Sequence, residues 1–488
     1  MKLSDLANRI AGARLRGAAD AEVSRVVHDS RQVRRGDLFV ALPGTRMDGH
    51  QFVQSALEAG ASAAIVERPV PLPGKPALLV VPDSREALGL AAHAMAGDPT
   101  ERLSVVGVTG TNGKTTTTYL VRSILEKAGH RTGLLGTIGY QIGERWIPSR
   151  MTTPDATDLA SYFAEMVESG LEAAVMEVSS HALDQRRAAG IRFRVGAFTN
   201  LTPEHLDYHK DMPSYRQAKG RLFAGLAADA WAVLNADDEA SRSFAEGTAA
   251  RVLWYGLDQP ADVRAEDLKA DLTGSRFTLC GPRGRAAVHA PLLGRHNVLN
   301  CLTAAAIAEA LAVPLDAVVA GIGAVATVRG RLEPVPADRP FMVLVDYAHT
   351  ADALENALTA VRALGPRRVI LVFGCGGNRD RQKRPKMAEV AEKLADRIIV
   401  TNDNPRKEDP QAIAEEVLAG FSSRAAATVE LDRRRAIATA VGEAREGDVV
   451  LIAGKGHETY QETREGTFPF DDCQVVDEIL SGVGPVCP

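Results

Sequence analysis

Residues 105–116 read Val-Val-Gly-Val-Thr-Gly-Thr-Asn-Gly-Lys-Thr-Thr, an apolar run that passes directly into a glycine loop. No other stretch constrains the chain as strongly. Glycines let successive backbone N–H groups turn inward around an anion, a lysine ammonium reaches the outer phosphates, and the first threonine hydroxyl can ligate Mg²⁺. Gly110, Thr111, Asn112, Gly113, Lys114, Thr115 and Thr116 therefore form the expected phosphate cradle. Val108 stands where the longer motif has glycine, so the loop is the shorter Gly-x-x-Gly-Lys-Thr form. A helix must follow. Leu120, Val121, Ile124, Leu125 and Ala128 recur on one helical face, and Gly129 is placed to end it.

A chain of 488 residues has room for about three domains, and the pattern breaks predict three α/β units. Residues 1–98 form a small α/β domain with strands at 37–42, 63–66 and 78–81, ending near Asp98-Pro99. Residues 99–330 form a central P-loop domain on a parallel sheet, with further strands at 173–178 and 195–200 and an alanine-rich helix at 301–312. Residues 331–488 form a Rossmann-like domain with strands at 341–346, 368–373, 397–401 and 448–453. Near-continuous apolar runs between helices are the mark of buried parallel strands.

The formal net charge of −5 speaks against a nucleic-acid surface. Cys280, Cys301, Cys375, Cys473 and Cys487 are scattered, with no Cys-x-x-Cys pair, which predicts a reducing compartment and no structural zinc. Asp5, Arg9 and Arg14 interrupt any signal-peptide core, and no apolar run approaches the roughly 18 residues of a membrane span. A cytoplasmic enzyme is expected, handling small molecules rather than nucleic acid or membrane, as a monomer.

In open parallel sheets ligands bind beyond the carboxyl ends of the strands, so polar residues after each apolar run mark candidate positions. Glu177 closes the run 173–178, where a carboxylate can reach a metal held by the phosphate loop or, equally well, cap the next helix. His205 and His209 are four apart and share a helical face if that segment is helical, as zinc ligands would. No third ligand stands at a metalloprotease spacing, and such a pair is more often structural. Lys219 falls on a helix-like segment, where an isolated lysine is ordinarily solvated.

Together these fragments resemble the Mur ligase family, the ATP-dependent amide-forming enzymes that build the peptide stem of the bacterial cell wall. The resemblance covers nearly the whole chain. Residues 110–116 match the family's ATP loop, Glu177-Val178-Ser179-Ser180-His181 its metal strand, and Asn200-Leu201-Thr202 with His205-Leu206-Asp207 its next loop. The resemblance implies that Lys114, Glu177, His205 and Lys219 are catalytic. It also implies that Thr115, Glu177, His205 and Lys219 hold Mg²⁺, the lysine being modified to a carbamate by CO₂. A carbamate is an anionic oxygen donor, and forming it requires a neutral amine, hence a lysine whose pKa is lowered by desolvation or neighbouring cations. Asn297, Arg331 and Asp346 are implied ATP contacts. Ser30, Thr152, Thr153, Ser179, Gln185 and Arg187 match positions that hold a UDP-muramoyl-dipeptide. Met151 stands where relatives often carry asparagine, which removes a side-chain amide at that point.

Asp403, Asn404, Pro405 and Arg406 resemble the recognition motif of the branch that adds meso-diaminopimelate. That amino acid carries a second amino-carboxylate centre, and a guanidinium fork offers a carboxylate two parallel charge-assisted bonds. L-Lysine, lacking that carboxylate, would leave Arg406 unpaired. Arg379, Gly454 and Glu458 match the other positions contacting this amino acid, with Glu458 suited to the distal ammonium. An Asx turn ahead of a helix accounts for 403–406 as well, and is compatible with the first reading. The basic run 379–386 reads as a solvated helix start beside a carboxylate pocket. The expected reaction passes through an acyl phosphate. Other readings are a lysine-adding or folylpolyglutamate-type ligase of the same architecture, a P-loop ATPase that drives motion, and a ligase-like binding protein. The last sits poorly with Lys114, Glu177, His205 and Lys219 occurring together.

Overall fold

Short apolar strands separated by amphipathic helices can bury themselves only as sheets covered on both faces, and this chain builds three such sheets in succession. The computed structural model describes residues 1–44, 47–336 and 338–482, so Cys487 lies outside the described residues. The first sheet has the order Arg14–Arg16, Leu78–Val80, Ala63–Val66, Asp37–Val40, Arg25–Val27, parallel except for the first strand. Helix Ser84–Met95 starts at Asp83, whose side chain accepts from the backbone N–H groups of Arg85 and Glu86. It packs on helix Ala156–Glu168 of the next unit, with the His93 and Phe163 rings 6.0 Å apart. It also meets the segment around Ala189 backbone against backbone, since a Cβ on Gly89 would lie 2.4 Å from the Ala189 carbonyl oxygen.

The second sheet has eleven strands. Its centre is parallel, with Ser104–Thr109 between Phe193–Phe198 and Ala173–Glu177, and Trp231–Asn235, Arg251–Gly256 and Thr132–Leu135 further out. A parallel sheet was expected; antiparallel strands also extend it at both edges. Gly139–Ile142 and Arg145–Pro148 lengthen one side; on the other, Val263–Asp271 continues the parallel run beside Arg251–Gly256, and Gly274–Gly281 and Gly284–Ala290 follow antiparallel. Of these, Arg145–Pro148, Val263–Asp271 and Gly284–Ala290 face solvent over much of their length and carry no continuous apolar run, which is why the sequence did not announce them.

Helix Lys114–Lys127 buries Leu120, Val121, Ile124 and Leu125 against helices Arg295–Ala310 and Leu315–Ala324. The alanine-rich helix thus begins six residues before the predicted 301, because its polar first turn, Arg295-His296-Asn297, hides it from a reading based on apolarity.

The third sheet has the order Glu333–Val335, Met342–Asp346, Val449–Ala453, Val369–Phe373, Arg397–Val400, Thr428–Val429, parallel apart from its first strand. A separate two-stranded hairpin pairs Tyr460–Glu462 with Thr467–Pro469. No helix among the described residues is long and apolar enough to cross a membrane.

Candidate active site

Strand Ser104–Thr109 delivers the chain to Gly110 at φ 149°, and Gly113 at φ 86° turns it into helix Lys114–Lys127. Both must be glycine. A Cβ at Gly110 would lie 1.8 Å from Thr199 Oγ1, and one at Gly113 would lie 2.3 Å from Asn300 Oδ1. The loop is pinned from the neighbouring strand end: Asn112 N donates to Asn200 Oδ1 at 2.9 Å, and Thr199 Oγ1 donates to the Asn112 carbonyl at 2.6 Å. Lys114 Nζ donates to the carbonyls of Gly110 (2.9 Å) and Thr111 (2.7 Å).

Glu177 is buried at the end of its strand. It does not cap the following helix, whose cap is Ser179. Instead Oε1 accepts from Thr115 Oγ1 at 3.0 Å and from Thr137 N at 2.8 Å, while Oε2 accepts from Thr137 Oγ1 at 2.9 Å. The hydroxyl of Thr115 also accepts from Arg331 Nη2 at 3.0 Å, a contact from the third unit. A hydroxyl and a carboxylate this close form a hard-oxygen donor set that suits Mg²⁺.

Lys219 is not a solvated residue. It is 1% exposed, with Nζ donating to the Gly110 carbonyl at 2.7 Å and lying 4.4 Å above the Tyr215 ring. Burial, reinforced by the Lys114 ammonium, depresses its pKa well below the usual lysine range.

His205 and His209 do not share a helical face. His205 has a left-handed backbone at φ 56° and precedes the four-residue turn Leu206–His209, while His209 is buried with Nε2 2.9 Å from Ser180 Oγ. No cluster of three His, Cys, Asp or Glu side chains suited to a metal occurs among the described residues. Burial pulls the His205 imidazole down to about 4.

Between His205 and the third unit stands Glu204, which the sequence reading passed over. Its carboxylate is 3.7 Å from His205 Nε2 and 3.5 Å from His349 Nε2. Burial alone would raise this carboxyl, but His349, His205 and Lys114 hold it below the usual carboxylate range.

The phosphate loop opens onto a cleft with about 1010 Å³ of empty space between the second and third units, bounded by Asn297, Arg331 and Asp346 among others. Asn297 is held by its Nδ2 donation to the Leu293 carbonyl at 2.8 Å, and Asp346 by donations from Leu332 N (2.6 Å) and Ala348 N (2.7 Å). The Arg331 guanidinium lies 4.9 Å above the Tyr347 ring. Asn235, Tyr255 and Asp352 also line this cleft and were not predicted. Asn235 ends a parallel strand, so the strand-end rule would have found it had the strand been recognised. Asp352 accepts from Asn112 Nδ2 at 2.6 Å and Thr202 Oγ1 at 3.1 Å, joining the third unit to the phosphate loop.

On the other side of Glu177 a second group of predicted residues converges. Thr153 Oγ1 donates to the Glu177 carbonyl at 2.9 Å and accepts from Ser179 N at 3.0 Å, while Arg187 Nη1 donates to the Thr153 carbonyl at 2.6 Å. Thr152 Oγ1 is hydrogen-bonded to Thr137 Oγ1 at 3.1 Å, which ties it to the same carboxylate. Met151 is exposed, its Sδ 3.5 Å from Arg187 Nη1, and Gln185 Nε2 reaches Tyr208 OH at 3.3 Å. Ser30 belongs to the first unit, opening the turn Ser30–Gln32 that Asp29 caps.

A third group gathers at the carboxyl edge of the last sheet. Asn404 is buried, donating from Nδ2 to Glu458 Oε2 at 2.8 Å and accepting at Oδ1 from Lys455 Nζ at 3.1 Å. Arg406, at φ 53°, donates from Nε to Glu462 Oε2 at 2.9 Å and from Nη1 to the Gly377 carbonyl at 3.0 Å, so it is not unpaired as the sequence suggested. A Cβ on Gly454 would lie 2.6 Å from Asp403 Oδ2, so glycine there keeps strand end and loop in contact. The ring of Pro405 offers no N–H; its carbonyl accepts from Glu408 N at 3.1 Å. Arg379 is exposed next to Gly376.

The basic run 379–386 is not wholly solvated. Arg384 is fully buried, donating to Glu408 (3.0 Å), Glu416 (2.8 Å) and the Gly376 carbonyl (3.1 Å), because two acidic side chains from the next segments fold over it.

A glycine phosphate loop facing a second α/β unit across a nucleotide-sized cleft, with a third unit seated behind it, defines a class. The chain belongs to the Mur ligase family, the ATP-dependent amide-forming ligases. Three family models match in succession: the Mur ligase family catalytic domain at residues 22–95, the Mur ligase middle domain at 108–308, and the Mur ligase glutamate ligase domain at 330–456. The UDP-N-acetylmuramoyl-L-alanyl-D-glutamate--2,6-diaminopimelate ligase of Bacillus licheniformis is 45% identical over 470 residues, covering 95% of this chain and 96% of its own. A solved structure of a ligase with the same name is 32% identical and superposes with a TM-score of 0.72 over 99% of both chains. Folylpolyglutamate synthase from Mycobacterium tuberculosis, complexed with ADP and AMPPCP, superposes at 0.65 over 82% of this chain and 96% of its own. At 20% identity that likeness speaks to the fold alone.

Proposed function

We propose that this chain adds meso-2,6-diaminopimelate to UDP-N-acetylmuramoyl-L-alanyl-D-glutamate in an ATP-dependent, Mg²⁺-requiring reaction of peptidoglycan precursor synthesis, acting as a cytoplasmic monomer. One observation carries the choice of amino acid. Asn404 holds Glu458 through its amide nitrogen at 2.8 Å, and its amide oxygen accepts from the backbone of Glu462, which in turn holds Arg406 at 2.9 Å. A carboxylate and a guanidinium fixed by one asparagine match the ammonium and carboxylate of a distal amino-acid centre. The names of the relatives over the full length point the same way.

A carboxylate is a poor electrophile, so the γ-carboxylate of the D-glutamate must first take a phosphoryl group from ATP to become an acyl phosphate. The neutral amine of diaminopimelate then attacks that carbon, and phosphate leaves from the tetrahedral intermediate. Positioning and charge neutralisation are the protein's share of such a reaction. Lys114, resting on two backbone carbonyls, exchanges them for phosphate oxygens. Gly110 to Thr116 cradle the phosphates, and Asn297, Arg331 and Asp346 hold the rest of the nucleotide in the cleft. Thr115, Glu177, His205 and Lys219 as its carbamate would hold Mg²⁺, which supplies positive charge to the transferring phosphoryl group. The depressed pKa of Lys219 favours the neutral amine that carbamylation needs. Ser30, Thr152, Thr153, Ser179, Gln185 and Arg187 line the approach of the nucleotide-sugar peptide. Arg379, Asp403 to Arg406, Gly454 and Glu458 receive the amino acid.

The test is incubation with ATP, Mg²⁺, the UDP-muramoyl-dipeptide and one of meso-diaminopimelate, L-lysine or L-glutamate, with product mass as the readout. Only the diaminopimelate adduct should form. A lysine or glutamate adduct as the main product, or ATP hydrolysis without any adduct, would overturn the proposal.

A further inference from the structure

The hairpin 460–469 lies against the loop 403–407 through four contacts that do not involve the Glu462 side chain. Arg406 N donates to the Glu462 carbonyl (3.0 Å), Glu462 N to Asn404 Oδ1 (2.9 Å), Gln461 Nε2 to the Asp403 carbonyl (2.8 Å), and Arg464 Nη2 to the Lys407 carbonyl (3.1 Å). The Glu462 carboxylate is therefore not needed to dock the hairpin, yet it meets Arg406 Nε at 2.9 Å. The opposite side of the same guanidinium is held by the Gly377 carbonyl at 3.0 Å, and Nη1 is 3.0 Å from where a Cβ on Gly376 would stand.

A guanidinium has five N–H donors in one plane. With Nε on Glu462 and one Nη1 hydrogen on Gly377, the plane of Arg406 is fixed, and of the three remaining donors, one on Nη1 and two on Nη2, one from each nitrogen is available to the terminal edge. That edge is a bidentate receptor for a carboxylate. Through Asn404 the same hydrogen-bonded chain runs on to Glu458, so the spacing between the anion receptor and the cation receptor is set by one continuous network.

We infer that Glu462 is a positioning residue that determines amino-acid specificity, by orienting Arg406 so that its terminal edge faces the distal carboxylate of the amino-acid substrate. The inference rests on the diaminopimelate reading above. It places the selectivity of Arg406 partly in a residue on a hairpin that follows it in sequence by 56 positions. It also explains how an arginine can wait in a binding pocket without the cost of an unpaired, half-buried charge.

The experiment is steady-state kinetics of the full-length enzyme and of Glu462→Ala and Glu462→Gln, varying each substrate in turn. The Glu462 side chain is 42% exposed, so the effect belongs at the upper end of exposed ion pairs. Glu462→Ala should raise KM for meso-diaminopimelate about 3- to 5-fold, with kcat and the KM values for ATP and the UDP-muramoyl-dipeptide within about 2-fold of wild type. Glu462→Gln keeps an oxygen acceptor for Nε and should restore most of the loss. Discrimination against L-lysine should narrow in Glu462→Ala and recover in Glu462→Gln. An unchanged or lowered KM for diaminopimelate in Glu462→Ala would overturn the inference, as would a rise shared by all three substrates. Should the wild-type enzyme fail to ligate diaminopimelate at all, the proposed function falls first, so the two failures are distinguishable.

Discussion

The ammonium groups of Lys114 and Lys219 converge on one acceptor, the carbonyl oxygen of Gly110, at 2.9 and 2.7 Å. Burial lowers the pKa of each from the usual lysine value, and the neighbouring Lys114 ammonium lowers that of Lys219 further. Converting the deeper one to a carbamate would replace a buried cation beside Lys114 with an anion that can pair with it.

The first prediction is therefore that Lys219 takes up CO₂. Intact-protein mass and ¹³C NMR in labelled bicarbonate should show one carbamate in wild type and none in Lys219→Ala. The alanine variant should be inactive, and a small carboxylic acid should restore part of its turnover by occupying the vacated oxygen positions. An active wild-type enzyme carrying an unmodified lysine would end the carbamate proposal.

In the proposed mechanism, Lys114→Ala removes a charge aimed at the transferring phosphoryl group. Loss of one such donor typically costs about 10²–10³ in rate, so kcat should fall by that factor while circular dichroism stays unchanged. A variant retaining more than half of wild-type activity would place the phosphoryl chemistry elsewhere.

Arg406→Ala should lower kcat/KM for meso-diaminopimelate about 10- to 150-fold, the worth of a hydrogen bond to a charged group. L-Lysine should fall less or improve. Sites that leave a polar group unpaired reject the incomplete analogue by about 10⁴-fold. Here Glu462 and Gly377 keep Arg406 partnered without ligand, so wild-type discrimination should be smaller than that. Paired measurements on both amino acids decide it, and an unchanged ratio in Arg406→Ala would move selectivity to Arg379 and Glu458.

Acid stability offers a fourth prediction. Asp448 is buried under the last sheet, accepting from Arg367 (3.1 Å), Arg368 (2.7 Å) and Arg445 N (2.9 Å). Burial pushes its carboxyl up, but these partners more than offset it and leave the pKa at about 2. A depressed carboxylate contributes stability that is present above the unfolded pKa of about 3.9 and lost as pH falls through about 2. The linked term is roughly 2 kcal/mol. Asp448→Asn should be less stable at neutral pH and lose less on acidification between about pH 4 and 2; urea unfolding across that range would show it. Parallel acid limbs in the two proteins would remove Asp448 from the account.

Much of the site was legible because its signals are local. The phosphate loop declares itself through glycines that a Cβ would drive into Thr199 and Asn300, and through a strand and a helix whose periodicities flank it. Glu177 was legible as the end of an apolar run, and residues 403–406 as a polar turn after another. Spacing was a weaker guide: His205 and His209 are four apart, but His205 has a left-handed backbone and stands just outside the short helix Leu206–His209.

The sequence alone thus determined the phosphate loop, the principal buried strands and their order, and the chemistry those strand ends can offer, since hydrophobic period, glycine demand and side-chain type belong to a few neighbouring residues. Tertiary structure decided which of those groups meet and in what charge state. Lys219 reaches the Gly110 carbonyl across 109 positions, and Asp352 reaches Asn112 across 240. Such pairings arise only when the sheet and its covering helices are packed. Burial, which turns a surface-type lysine into one with a depressed pKa and makes Glu204 the shared partner of two histidines, is a property of that packing and of no single segment.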